Sequence, residues 1–307
     1  TDENRMNIVR FVAQEVRKDG KIPHFDKYAV GEILREAQRR SGRKGELTLR
    51  MRELGGLVRI SGDMAKERNA PLVSRDDVLL ARHTARSLEQ QISDEQISAL
   101  KRYELFLNKG SAVGMVNGLA VLSNSNNMSE MSGMVMPLAA EVTPAQNRKS
   151  GRIIATGQLG NIAKEAVDNI SAVIKKYTMT NLSDCDIHLQ YVGAYNGVDG
   201  DSASITMATV IISAMENIPI RQDLAMTGSL NVRGHVLPIG GVTAKLEAAA
   251  EAGIKIALIP KDNGKDVMID EKYYDMMEIY TVENIRDVFE YAFVDCPMKQ
   301  QYLDKFL

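Results

Sequence analysis

The stretch from Val192 to Ser204 constrains this chain more than any other, because it carries a strand into a buried helix through a run of small residues. Ahead of it, Ile187 to Val192 alternates apolar and polar side chains, the pattern of a half-buried strand. Behind it, Ile205 to Met215 is rich in Ala, Ile, Met and Val, over a length that suits a buried helix. Ser202 is thereby set at a helix start, where backbone N–H groups lack partners and the helix dipole is positive. Such a position can hold a hydroxyl whose reaction develops an oxyanion. It is equally the position of a serine that only N-caps its helix.

A second stretch runs from Gly234 to Glu247. Pro238, Gly240 and Gly241 predict a turn, Thr243 an N-cap, and Ala244 to Ala252 a helix stopped by Gly253. Ile254 to Pro260 then reads as a buried strand. Lys245 falls in the first turn of its helix, where the dipole disfavours a cation. A residue that breaks a local rule points to function, although an ordinary solvated lysine would also fit.

Together the two stretches resemble the proteolytic domain of the Lon protease family, most closely its archaeal-type LonB branch. The family's nucleophilic serine stands in a Gly-Asp-Ser-Ala-Ser segment, here Gly200 to Ser204. Its lysine stands in Pro-Ile-Gly-Gly-Val-x-x-Lys, here Pro238 to Lys245, and Ala225 to Gly228 between them is also family-like. The resemblance extends from about residue 5 to residue 295. It implies an α+β fold, with an N-terminal all-α AAA+ lid subdomain over 1–97 and a mixed α+β proteolytic domain over 98–307. The latter is similar to the second domain of a small-subunit ribosomal protein.

The same resemblance implies a serine endopeptidase, with Ser202 as nucleophile and Lys245 as base, forming the degradative part of an ATP-dependent machine for unfolded or misfolded proteins. It puts Thr227 where a hydroxyl hydrogen-bonds the lysine amine. It puts Asp199 at an acidic position that is either the lysine's partner or part of an inactive arrangement. Leu49 to Leu54 matches the lid segment whose arginine senses the nucleotide's γ-phosphate, with Arg50 the first candidate and Arg52 the second. Met128 to Pro137 would border the substrate groove. Polypeptide substrates, a homohexameric ring, ATP and Mg in the complete protein but no cofactor in this chain, and membrane anchoring outside this chain all follow from the resemblance. It would place the intact protein at the cytoplasmic face of the cell membrane.

A serine hydroxyl needs a base to become a good nucleophile. Lysine can be that base only when neutral, which requires its pKa to fall from about 10.4 toward 7–8. His188 and His235 raise a rival Ser-His-Asp reading. The segment departs from the hydrolase elbow Gly-x-Ser-x-Gly, since Ser204 replaces the last glycine. A non-catalytic domain serving assembly or nucleic-acid binding is the alternative function, and the presence of both Ser202 and Lys245 argues against it.

Whole-chain properties narrow the reading further. The 307 residues are enough for two cores, and a net charge of −2 gives no general pull toward nucleic acid or anionic lipid. Cys185 and Cys296, without metal-ligand spacing, suggest a reducing compartment. The basic run from Arg35 to Arg59 has no interleaved aromatic residues, which argues against specific nucleic-acid binding. No Gly-x-x-x-x-Gly-Lys-Ser/Thr loop is present; Gly240 to Lys245 differs in having Ala244 before the lysine and Leu246 after it. The chain is therefore expected to begin inside an ATPase module. With no apolar run near the ~20 residues of a membrane span and no leader pattern, it is expected to be cytoplasmic.

The periodicities predict helices over Met6–Arg17, from Asp26 to about Arg40, from Leu47 to Asn69, and from a Ser74/Asp77 capping box to about Gln91. From Lys101 onward they predict strands over Ala112–Leu122, Met134–Val142 and Gly151–Thr156, a helix over Asn161–Tyr177, and a closing helix over Val282–Ala292. Paired strands mixed with helices argue for α+β over a doubly wound sheet.

Overall fold

The computed structural model describes residues 1–84, 91–92, 95, 98, 106–124, 127–145, 151–156, 159–178, 184–193 and 199–304. The chain divides into two compact units, one of Thr1–Ile92 with Ser123–Glu130 and one of Ser93–Leu122 with Met131–Leu307.

The first unit is helical: α1 (Asp2–Asp19), α2 (Lys27–Ser41), α3 (Met51–Glu67) and α4 (Arg75–Thr84), with the two-residue strands β1 (His24–Phe25) and β2 (Leu72–Val73) paired in parallel. Apolar stripes at helical spacing, including Ile8, Val12, Ile33, Leu54 and Val58, form its core. Asp26 caps α2 by accepting from the Ala29 amide at 2.7 Å. Ser74 and Asp77 exchange the two bonds of the expected capping box at the start of α4. Helix α3 starts four residues later than its apolar pattern predicts. Thr48 is held outside it by a bond from its amide to the Ala37 carbonyl, and its hydroxyl takes the Arg50 amide. The predicted end of α4 near Gln91 falls on residues 85–90, outside those described.

The basic run is largely neutralised within this unit. Glu36 is 1% exposed and takes Arg39 and Arg40 at 2.8 and 2.7 Å, with Arg82 at 3.8 Å. Burial pushes its carboxyl upward, but the two adjacent arginines outweigh it and hold the pKa at about 2.

The second unit is built on a mixed sheet of seven strands in the order β13-β12-β9-β4-β5-β7-β6. These are β4 (Met115–Asn124), β5 (Asn127–Pro144), β6 (Ile153–Thr156), β7 (Cys185–Tyr191), β9 (Leu224–Met226), β12 (Ile256–Pro260) and β13 (Glu278–Val282). Short pairs join β3 (Ser111–Ala112) to β8 (Ile220–Arg221) and β10 (Ser229–Leu230) to β11 (Val236–Leu237). The helices are α5 (Asn161–Thr178), α6 (Ser204–Glu216), α7 (Val242–Glu251), α8 (Glu271–Tyr274), α9 (Ile285–Ala292) and α10 (Pro297–Leu303).

Alternation along the strands supplies two cores, one on each face of the sheet. Leu224, Met226 and Leu258 face α5, α6, α9 and α10; Ala225, Ala257 and Ile259 face α7. The closing helix begins at Ile285 and not at Val282, because Val282 is still in register with Pro260 and Asn284 with Asp287 forms a capping box. The last helix, α10, has no counterpart among the predicted elements; Pro297 at its start and Cys296 as its cap mark it.

Candidate active site

Three segments meet at the C-terminal end of β9. Thr227 follows that strand directly; its amide bonds to the Leu258 carbonyl of β12 at 3.1 Å, which fixes it against the sheet. The next amide, Gly228, donates to the Ser202 carbonyl at 2.8 Å, and the Gly228 carbonyl accepts from Ile205 at 3.2 Å. The serine loop is thus stitched to the end of a central strand. The third segment is the start of α7, with Gly241 at its N-cap in the left-handed conformation (φ 71°). Thr243, predicted as that cap, lies inside the first turn instead, and its hydroxyl donates to the Asp266 carbonyl at 3.2 Å.

Lys245 reaches the strand end from α7. Its Nζ lies 2.9 Å from Ser202 Oγ and 3.0 Å from Thr227 Oγ1, and the residue is 1% exposed. Burial pushes its pKa down to about 8, against an opposing pull from the Asp201 carboxylate. The first-turn position acts in the same direction as burial. Strand β5 packs on the backbone of α7 beside Lys245: a Cβ at Gly133 would meet the Ala244 carbonyl oxygen at 1.9 Å. The Thr227 hydroxyl donates to the Ser202 carbonyl at 3.1 Å, so toward the lysine it presents only lone pairs. It must therefore accept a proton of the amine, which leaves the lone pair of a neutral amine free to face Ser202 Oγ.

Ser202 is not a helix cap. Helix α6 starts two residues later with Ala203 at its N-cap position, and no side chain caps it. The hydroxyl that closes this loop is that of Ser204, donating to the Asp201 carbonyl at 2.5 Å. Among the described residues, no backbone carbonyl accepts from the amides of Ser202 and Ala203, so both can serve as oxyanion donors.

The structure brings Ser202, Lys245 and Thr227 together and leaves Asp199 elsewhere. The Asp199 carboxylate accepts from the Ile162 and Ala163 amides at 3.1 and 3.3 Å, capping α5 from another part of the chain. It packs so close that a Cβ on Gly160 would lie 2.4 Å from its Cγ. Asp199 as the lysine's partner is therefore corrected: the carboxylate acting on the amine is that of Asp201, next to Ser202. Neither histidine replaces the lysine. His188 is on the exposed face of β7 with Nε2 3.2 Å from Thr143 Oγ1, and His235 is exposed in the turn before β11. Residues 194–198 of the serine stretch, and the side chains of 128–131 at the expected groove, lie outside those described.

Arg50 and Arg52 belong to the first unit. Arg50 is half-buried at the N-cap position of α3, and Arg52 is exposed at the second position of that helix. Among the described residues no group of His, Cys, Asp and Glu is arranged to hold a metal, and no helix is long and apolar enough to cross a membrane. Two contributors were not legible in the sequence, Gly133 and Ser229. A lone glycine in a strand pattern is a weak sign of close backbone approach; nothing signalled Ser229.

Comparison with known proteins covers nearly the whole chain. Residues 88–295 match the family model for the Lon protease (S16) C-terminal proteolytic domain. Residues 24–87 match that for the archaeal LonB AAA+ ATPase LID domain. An archaeal Lon protease of Methanothermobacter thermautotrophicus is 58% identical over 294 residues, covering 96% of this chain and 45% of the relative. Archaeal Lon proteases of Thermoplasma acidophilum and Archaeoglobus fulgidus are 54% and 53% identical, covering 99% and 100% of this chain and 46% and 48% of theirs. The chain spans about half the length of the curated relatives it matches.

Proposed function

Because the chain belongs to the Lon protease family, we propose that its proteolytic domain is a serine endopeptidase working through Ser202 and Lys245. The observation that carries this reading is the 2.9 Å contact between Lys245 Nζ and Ser202 Oγ within a buried pocket. Neutral Lys245 takes the Ser202 proton as Oγ attacks the scissile carbonyl. The resulting oxyanion is met by the amides of Ser202 and Ala203. The lysine ammonium then gives its proton to the departing amine, leaving an acyl-serine. Water, deprotonated by the same lysine, attacks that ester and restores the hydroxyl. Thr227 holds the lysine nitrogen beside Ser202 Oγ throughout.

In the complete protein this domain would be the degradative part of an ATP-dependent machine acting on unfolded or misfolded polypeptides. Residues 1–97 would serve as the ATPase lid and 98–307 as the proteolytic domain. Arg50, or in second place Arg52, would sense the γ-phosphate of Mg-ATP bound by the ATPase module of the complete protein. Assembly as a homohexameric ring at the cytoplasmic face of the membrane fits the same reading.

The test is hydrolysis of a fluorogenic, unstructured peptide together with labelling by a serine-reactive phosphonate probe. Ser202→Ala should abolish both, and Lys245→Arg should be as inactive as Lys245→Ala, because a guanidinium stays charged. Peptidase activity in Ser202→Ala above a trace removes the nucleophile assignment, and rescue by arginine removes the base.

A further inference from the structure

We propose that Ser229 is a positioning residue of the active site, its hydroxyl holding the Asp201 carboxylate away from the Lys245 amine. The proposal rests on the serine–lysine reading above. Ser229 is 5% exposed, fixed by the pairing of β10 with β11, and its Oγ donates to Asp201 Oδ2 at 2.6 Å. A bond this short to an ionised acceptor is of the stronger kind. The Asp201 residue is otherwise exposed, and its backbone is held separately through its carbonyl, which accepts from Ser204 N and Oγ. The side chain would therefore be free to turn about its Cα–Cβ bond if Ser229 did not hold it.

The consequence follows from position. Asp201 is covalently joined to Ser202, whose Oγ is 2.9 Å from the lysine nitrogen. A released carboxylate could pair with the ammonium and keep it charged, and a charged lysine cannot take the serine's proton. Held at Ser229, the same carboxylate still favours the ammonium that forms once the proton has moved, without closing on it. Among the described residues, Asp201 is the charged group acting on the amine. The amine's other polar neighbours are the Thr227 and Ser202 hydroxyls.

The experiment is the pH profile of kcat/KM on the unstructured peptide for the wild type, Ser229→Ala, Ser229→Thr, Asp201→Asn and the Ser229→Ala/Asp201→Asn pair. Ser229→Ala should move the rising limb up by about one pH unit, so that activity at pH 7 falls roughly tenfold and is regained at higher pH. Ser229→Thr keeps a hydroxyl and should leave the limb at the wild-type pH, whatever its plateau. Asp201→Asn should move the limb down, and in that background Ser229→Ala should add no further shift. A loss in Ser229→Ala that is equal at every pH, or a shift that persists in the double variant, overturns the proposal. So does an Asp201→Asn limb that fails to move down, which requires no variant at Ser229. Failure of the underlying dyad is seen separately, as activity surviving Ser202→Ala.

Discussion

Replacing Lys245 with methionine is expected to stabilise the proteolytic unit, by an amount that shrinks as pH rises. Lys245 is 1% exposed with a pKa of about 8, against 10.5 for the free side chain. Between those values the unfolded chain binds more protons than the folded one, so stability climbs with pH. The lysine's cost is thus complete below the folded pKa and gone above the unfolded one. A difference of 2.5 units (10.5 − 8) corresponds to about 3 kcal/mol at pH 7, falling to about 2 kcal/mol at pH 9. Methionine fills a similar volume but forfeits the bond to Thr227, giving back about 1 kcal/mol. The net gain is then about 2 kcal/mol at pH 7, and it should decline by about 1 kcal/mol by pH 9. Guanidinium unfolding followed by near-UV tyrosine circular dichroism isolates this unit, because Tyr28 is the single tyrosine of the other. The difference between variant and wild type cancels other titrations. An advantage that is the same at pH 7 and pH 9 would refute the depressed lysine pKa, whatever its size.

Three further outcomes follow from the geometry. Asp199→Ala removes the cap on α5 and should lower stability by about 1 kcal/mol, whereas Asp199→Asn keeps an acceptor; neither should move the pH limb of peptide hydrolysis, and a moved limb would restore Asp199 as the lysine's partner. Gly133→Ala drives a methyl into the Ala244 carbonyl and should cost about 1–3 kcal/mol, with peptidase activity falling at least tenfold through displacement of Lys245; wild-type kinetics would remove the backbone contact from the argument. This chain alone should cleave unstructured peptides at a rate indifferent to Mg-ATP and leave a tightly folded protein intact, since unfolding it requires about 5–15 kcal/mol that no phosphate loop here can harness; ATP-stimulated degradation by this chain would contradict that.

What could be seen in the sequence was whatever is written locally. The strand into Ser202 and the helix out of it, the Asp26 cap and the Ser74/Asp77 box, and the turn before α7 all follow from residues within a few positions of one another. Lys245 was legible as a cation where the dipole opposes one. What could not be seen depends on contacts far apart in the chain. Asp199 stands three residues before the nucleophile, and proximity suggested that it serves the lysine; it serves α5 instead, through amides 36 and 37 positions away. Ser229 is unremarkable by pattern and is defined only by the carboxylate it meets. The start of α3 moved because a distant carbonyl, that of Ala37, claimed Thr48. Local propensity fixes elements, and the partners available after folding decide their ends.

The same reasoning explains how Ser202 and Lys245, 43 residues apart, come into contact. Ser202 precedes α6, which covers one face of the sheet, while Lys245 lies on α7, which covers the other. Strand β9 runs between the two cores, and where it ends at Met226 nothing of the sheet separates them. Thr227 and Gly228 then complete the junction, one bonded to β12 and the other to the serine loop. A lysine in this place is shielded from water by both layers, which depresses its pKa far more than a surface helix start could. The downward pull on the Lys245 pKa is therefore a consequence of the two-core architecture. Its cost is the stability that methionine at 245 would recover.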